Sequence, residues 1–241
     1  SLVASDADTR PPFHPLAYAA SLADTDTMHL AEAMLQKDRD EFIKAMEKEI
    51  ADHTDHDHWS IHSREQMRKT GYQGRVIMAV WSFKQKRNLF GVITKYKVHL
   101  CAHGGQTQKD VHYNDSYSSV VLWTMVCLLL TLALIQGWYT RQIDFILAYP
   151  QADTNTTLYM ELPKLYKVYK GALKHNVATT KPSNQPHILK LEKSLYGLKD
   201  GGLTWFNYLK KGLIPRGFKQ SQVEPCLFVK GKLILVTYVD N

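Results

Sequence analysis

Cysteine is scarce in this sequence, and its scarcity argues against two classes of protein. The 241 residues include only Cys101, Cys127 and Cys226, none of which belongs to a Cys-x-x-Cys pair. Neither a disulfide scaffold nor a cysteine zinc site is therefore expected. We also expect no signal peptide, because the first ten residues are polar and acidic rather than apolar. We expect an intracellular chain that is not secreted.

The sequence also lacks an apolar run of membrane-spanning length. Its longest run extends from Val120 to Ile135 and is interrupted only by Thr124 and Thr131. A spanning helix needs roughly 18 to 20 apolar residues, so this run is too short. Because it is apolar on every side, we predict a helix that is buried all round by protein, beneath a sheet.

What the sequence does contain is typical of a folded, moderately basic chain. Apolar residues make up 44% and charged residues 22%, which argues against disorder. The formal net charge of +7 is compatible with a polyanionic partner but does not require one. Predicted strands and helices follow one another without a regular β-α-β order, which favours an α+β fold with a largely antiparallel sheet and packed helices.

Residues 1–24, rich in Ser, Asp, Ala and Pro, are interpreted as a loose leader. Residues 25–58 are predicted to form a helix, with Phe42, Ile43, Met46 and Ile50 on one face, followed by a His/Asp turn. His53, His56, His58 and His62 lie in or near that turn, and we favour a solvated turn over a metal site because nothing fixes a ligand geometry.

A basic hairpin is predicted near the middle of the chain. Strands on either side of a turn at 88–91 carry five cationic residues, which are Lys84, Lys86, Arg87, Lys95 and Lys97. These side chains would attract a phosphate backbone without reading its sequence. A hairpin whose charges merely face water is the equal alternative for each of them.

Two acidic residues are associated with predicted buried strands. Asp144 lies within the predicted strand 141–148, and Asp240 follows the apolar run 233–239. A carboxylate in such a place is costly unless it is paired or bound to a cation. Two neighbouring carboxylates could hold Mg²⁺, which favours oxygen ligands and stabilises phosphoryl transfer. Alternatively, each residue ends its strand and meets water.

Several segments together resemble the reverse transcriptase of copia-type retrotransposons, over about residues 42–241. Tyr238-Val-Asp240 resembles the Tyr-x-Asp-Asp box, and Lys190-Leu-Glu-Lys-Ser-Leu-Tyr-Gly-Leu-Lys199 with Trp205-Phe206 is similar to the family's Leu-Tyr-Gly-Leu-Lys signature. Other similar segments follow in the family's order, namely 95–104, 115–121, 142–149, 158–163 and 216–228.

The resemblance implies the fingers and palm of a right-hand polymerase at residues 59–241, without its thumb. It implies RNA- and DNA-templated DNA synthesis from deoxynucleoside triphosphates, with two Mg²⁺ ions held by Asp144 and Asp240. Tyr149 would be an aromatic gate beneath the sugar, and Lys97 would face triphosphate or template. The remaining polyprotein, including integrase and ribonuclease H, would be the other partner. The resemblance implies a location in the cytoplasm, a virus-like particle or the nucleus, and it implies no membrane partner.

Three positions depart from the family's pattern. Asn241 stands where the family has a second Asp, Asp200 where it has Gln, and His99 where it usually has Arg. Each change should weaken the site. Asn241 lacks a metal-binding carboxylate, Asp200 adds a negative charge near the triphosphate, and His99 is mostly neutral at pH 7 where Arg is a cation. We therefore expect a decayed, inactive copy. The alternative is a non-catalytic nucleic-acid-binding remnant that uses the basic hairpin 84–99.

Overall fold

The protein has an α+β architecture with antiparallel sheets and several helices. A computed structural model describes residues 26–164 and 186–238. The leader at 1–24 and the positions of Asp240 and Asn241 lie outside these ranges, so the expectations for them remain predictions.

The described elements follow one another along the chain. They are β1 (Thr27–Met28), α1 (Leu30–Leu35), α2 (Arg39–Asp55), β2 (Trp59–Ser63), α3 (Arg64–Lys69), β3 (Ala79–Arg87), β4 (Ile93–Ala102), α4 (Trp123–Gln136), β5 (Asp153–Glu161), β6 (His187–Lys193), α5 (Gly201–Leu213), β7 (Lys219–Gln220), β8 (Leu227–Lys230) and β9 (Leu233–Val236). They form two compact units. Of the described residues, the first comprises 26–46 and Trp81–His99, and the second comprises Glu47–Val80 and those from Leu100 onward.

The first unit contains the basic hairpin. Its sheet has the order β1-β3-β4, and β1 pairs antiparallel with β3. Phe42 of α2 packs edge-to-face against Phe83 and Tyr96, at ring-centroid distances of 5.5 and 5.0 Å. The predicted hairpin and the apolar face of the helix are therefore confirmed.

The prediction of one helix from residue 25 is wrong at its beginning. Thr27 and Met28 are a short strand because they pair with Lys84 and Phe83 of β3. Helix α1 then ends at Leu35, because the backbone of Gln36 is extended, before α2 begins. Strand pairing thus prevails over local helix propensity here.

The second unit is organised around the sheet β2-β6-β5, in which both neighbours pair antiparallel with β6. Its buried apolar side chains include Leu158, Met160, Leu189 and Leu191. A separate cluster forms where α5 packs Trp205, Phe206 and Leu213 against residues that include Cys226 and Phe228. Strand β6, helix α5 and the hairpin of β8 and β9 form where the spacing of apolar residues and the turn at Lys230-Gly-Lys232 favour them.

The helix predicted for Val120–Ile135 exists as α4, but its predicted burial is wrong. Trp123 is 71% exposed and Leu134 is 84% exposed, whereas Ala133 is buried. Met125 and Val126 pack on the cluster that contains Trp205, so the described residues cover only part of the circumference. No helix within the described ranges is long and apolar enough to cross a membrane.

The short buried strand predicted at 141–148 is also wrong. This segment has no regular secondary structure, and Asp144 is exposed, as are Ile143 and Ile146. Leu147 has φ of 49°, a left-handed conformation that ends any extended run. An apolar run of this length predicts a strand only when a neighbouring strand is present to pair with it, and the described residues supply none here.

The prediction that the His/Asp turn is solvated is wrong in part, because His53 and His58 are buried. His53 lies in the last turn of α2, and its Nδ1 is 2.8 Å from Nδ1 of His58. Burial, followed by the charges of His53 and His56, lowers the pKa of His58 to about 4. The Trp59 ring stacks on the His53 ring with 4.8 Å between centroids and so shields His53 from water. His56 is exposed, as predicted.

Candidate functional site

The segment Leu195–Lys199 crosses the end of β4 at very close range. The Ala102 amide donates a 2.8 Å hydrogen bond to the Tyr196 carbonyl. Gly197 has φ of 86°, and a Cβ atom there would lie less than 3.0 Å from the Ala102 carbonyl oxygen. A Cβ atom on Gly104 would be equally close to the Gly197 carbonyl oxygen. Only glycine permits this approach of two backbones.

Tyr149 is held against the same segment. It begins a 3-10 turn, Tyr149–Gln151, and its ring stacks on Tyr196 with 5.0 Å between centroids and 27° between planes. A Cβ atom on Gly201 would lie 3.0 Å from the Tyr149 ring, so a larger residue at the start of α5 would press on that ring. Burial raises the pKa of Tyr196, so its hydroxyl stays neutral. The aromatic pair is therefore fixed in position.

A cavity of about 360 Å³ opens beside this aromatic pair. It is lined by Ser116, Tyr149, Gly197, Leu198, Lys199 and Gly202. The volume lies within the range of small-molecule sites, roughly 300 to 1,000 Å³. Lys199 supplies a cation, and its Nζ lies 5.6 Å from the centroid of the Tyr113 ring. The first turn of α5 adds the positive end of a helix, so the lining suits an anionic ligand that also carries a flat or apolar part.

Asp200 lies next to Lys199 in sequence but is not among the residues that line the cavity. It is the residue before α5 and is buried, with hydrogen bonds to the side chains of Asn155 and Thr204. Burial has the largest effect and raises the pKa of Asp200. Asp200 is therefore not part of the cavity lining, and the repulsion expected between its carboxylate and a triphosphate remains a prediction.

The expected metal ligands are not brought together within the described residues. Asp144 is exposed on the irregular segment before Tyr149, and Asp240 lies outside the described ranges. Among residues 26–164 and 186–238, no group of three or more His, Cys, Asp or Glu side chains could hold a metal ion. The described part of the chain by itself thus lacks a complete donor set for Mg²⁺.

Lys97 and His99 are both on β4, within the first unit. Their side chains are half-buried, whereas Lys84, Lys86 and Lys95 are exposed. The cavity belongs to the second unit, so Lys97 and His99 remain predicted rather than observed neighbours of a nucleotide.

Sequence reasoning missed Ser116 and Tyr196 as parts of the site. Tyr196 belongs to the Leu-Tyr-Gly-Leu-Lys segment, yet the motif does not reveal its partner, because stacking on Tyr149 is a long-range contact. The Gly104–Gly105 pair was a detectable signal, since glycine at a strand end often marks a close backbone approach.

The chain thus combines an α+β fold with a glycine-lined cavity beside the stacked rings of Tyr149 and Tyr196. A sequence model of the family described as "Reverse transcriptase (RNA-dependent DNA polymerase)" matches residues 66–241. The chain belongs to this reverse transcriptase family.

Three curated relatives are retrovirus-related Pol polyproteins from plant transposons. The protein from transposon RE1 of Arabidopsis thaliana is 30% identical over 67% of this chain and 10% of its own length. Those from TNT 1-94 of Nicotiana tabacum and RE2 of Arabidopsis thaliana are 25% and 27% identical, over 90% and 96% of this chain. Each of these two alignments covers 15% of the relative, so the chain spans a small part of these polyproteins. No solved structure matches.

Proposed function

We propose that the chain supplies the fingers and palm of an RNA-directed DNA polymerase, a nucleotidyltransferase, within a copia-type retrotransposon polyprotein. Its substrates would be an RNA or DNA template with a primer, and deoxynucleoside triphosphates. The observation that best supports this proposal is the cavity at Tyr149 and Leu195–Lys199, which lies in the part of the chain that matches the family.

The cavity supports a role for its residues in binding a nucleotide. Lys199 would attract the phosphates, since it is the cation of the lining. The Tyr149 ring is immobilised by Tyr196 and Gly201, so it could exclude a 2′-hydroxyl by contact. Asp144 and Asp240 would hold Mg²⁺, which would stabilise the attacking and leaving oxygens of the transfer.

Nucleotide binding tests this proposal independently of catalysis. We expect dTTP to bind the chain and Lys199→Gln to weaken that binding about tenfold, whereas Lys211→Gln, at an exposed lysine of the following helix α5, should leave it unchanged. Tyr149→Ala should raise the affinity for UTP relative to dTTP. Equal binding of dTTP to the wild-type chain and the Lys199→Gln variant in calorimetry would contradict the assignment.

We also propose that this copy does not catalyse. The support comes from Asn241, a neutral residue at a carboxylate position of the family, and from His99 at an Arg position. Electrostatic stabilisation is usually the largest catalytic contribution, so the loss of one carboxylate is severe. With Mg²⁺, deoxynucleotides and a primed template, no extension is expected. Extension that Asp144→Ala abolishes would refute the inactivity and support the polymerase assignment.

A further inference from the structure

The side chain of Lys199 follows a defined path at the edge of the cavity. A Cβ atom on Gly104 would lie 3.7 Å from Cγ of Lys199, so the aliphatic stem of the lysine passes beside this glycine. Its Nζ atom lies over the Tyr113 ring, 5.6 Å from the ring centroid. An ammonium at this distance is attracted by the negative charge of the ring face. Tyr113 therefore interacts with the cation of the lining without lining the cavity itself.

Tyr113 ends a loop, residues 104–113, that is closed by its own hydrogen bonds. The Thr107 hydroxyl donates to the Gly104 carbonyl at 2.6 Å. The Asp110 amide donates to the Tyr113 carbonyl at 2.8 Å. The loop therefore presents the Tyr113 ring on a backbone that is held in place, and it begins at the glycine that the lysine stem passes.

The residue before Tyr113 anchors this loop to the rest of the second unit. His112 is 1% exposed, and its Nδ1 accepts a 2.9 Å hydrogen bond from the Gln108 amide. Its Nε2 therefore carries the proton of the neutral ring and donates to the Arg75 carbonyl at 3.1 Å. The His112 carbonyl accepts from the Thr156 hydroxyl. Displacing Tyr113 would thus break contacts to distant parts of the unit.

An anchored ring is useful to Lys199 because this lysine is otherwise exposed. A free lysine side chain samples many rotamers, and a ligand that must order it binds less tightly by the entropy that is lost. The Tyr113 ring orders the side chain before a ligand arrives. The ammonium is thereby kept beside the cavity, where an anionic group would meet it.

We propose that Tyr113 is a positioning residue that holds the Lys199 ammonium beside the cavity for the phosphates of the ligand. The inference rests on the proposed function, because it names the residue that orients its phosphate-binding cation. The attraction comes from the ring face, so the role requires an aromatic ring and not the hydroxyl. A residue that only filled space could instead be replaced by an apolar side chain.

The first measurement observes Lys199 in the full chain without nucleotide. Protons over an aromatic face resonate upfield, so the Hε protons of Lys199 should be displaced upfield from those of other lysines in a proton–carbon correlation spectrum. Loss of the signal in Lys199→Gln assigns it. Tyr113→Phe should keep the displacement and Tyr113→Leu should remove it. Tyr117→Leu, at a tyrosine that is 78% exposed in the following segment, should leave it unchanged.

Calorimetry with dTTP measures the consequence for binding. Tyr113→Leu should weaken dTTP binding about threefold, which is the size expected of a cation–π contact at an exposed site, and Tyr113→Phe should retain the affinity. In the Lys199→Gln background, Tyr113→Leu should have no further effect, because the ring acts only through this cation. Pentafluorophenylalanine at position 113 keeps the shape of the ring but reverses the charge of its face, so it should weaken binding without altering the fold.

The proposal is overturned if the Lys199 signal is not displaced, or if the displacement survives Tyr113→Leu. It is also overturned if the fluorinated ring leaves dTTP binding unchanged, or if Tyr113→Leu weakens binding equally with and without Lys199. Failure of the proposed function is a different result, namely no binding of dTTP to the wild-type chain. The two are distinguishable, because the Lys199 signal is recorded without nucleotide.

Discussion

Replacement of Gly197 by alanine should disrupt the site through a single methyl group. The backbone at Gly197 has φ of 86°, where an L-residue is strained by roughly 1 to 2 kcal/mol. In addition, the new Cβ would overlap the Ala102 carbonyl oxygen, and neither backbone is free to yield, because the Ala102 amide is bonded to Tyr196. We expect a total loss of about 3 to 4 kcal/mol in the free energy of unfolding.

Gly217 provides a matched control for this prediction. Its φ of 87° is nearly identical, but a Cβ there would meet only the Lys230 side chain, at 3.7 Å, which is ordinary contact. Gly217→Ala should therefore cost only the strain, about 1 to 2 kcal/mol. Urea unfolding of both variants, followed by tryptophan fluorescence, measures the difference. Equal losses would show that the approach of the two backbones is not tight, and the account of the cavity would then be wrong.

Three further outcomes are expected. Because the pKa of His58 falls from 6.5 to about 4 on folding, the unfolded chain binds more protons between these values, and stability should fall by about 2 to 3 kcal/mol as the pH is lowered from 7 to about 4.5. Urea midpoints at both pH values measure this loss, which His58→Asn should reduce. Burial raises the pKa of Asp200, so the contribution of this residue to stability should decline as the pH rises above 3.8. Asp200→Asn should therefore be neutral or stabilising by up to about 1 kcal/mol at pH 7. A clear loss of stability in this variant would contradict the prediction. Trp123→Lys and Leu134→Lys on α4 should reduce aggregation in light scattering without lowering the urea midpoint, whereas Ala133→Lys should lower it.

The sequence predicted those elements that are determined by residues close together in the chain. The hairpin of β8 and β9 was predictable from Lys230-Gly-Lys232 between apolar runs, and α5 from the spacing of Trp205, Phe206, Leu209 and Leu213. The failures concern burial and partners. The apolar content of α4 and of the segment around Asp144 indicated burial. Burial also requires residues from elsewhere that pack over these segments, and local sequence does not show whether such residues are present.

The candidate site was predictable only in part, for the same physical reason. Tyr149 and the Leu-Tyr-Gly-Leu-Lys segment were identified by resemblance, yet their contact, and the role of Gly104, depend on residues that are far apart in sequence. The buried pair of His53 and His58 was interpreted as solvated, because spacing alone does not reveal the Trp59 ring that covers it.

The hydrogen bond between Ala102 and Tyr196 has a consequence for the order of folding. These residues are separated by much of the chain, so the loop between them must close before Gly197 can meet Gly104. Contacts of such high sequence separation form slowly, whereas the hairpin of β3 and β4 can form from neighbouring residues alone. The cavity should therefore be completed late, after the hairpin. A ligand of the cavity would then recognise only chains that have finished folding, whereas a polyanion could already hold the hairpin of an unfinished one.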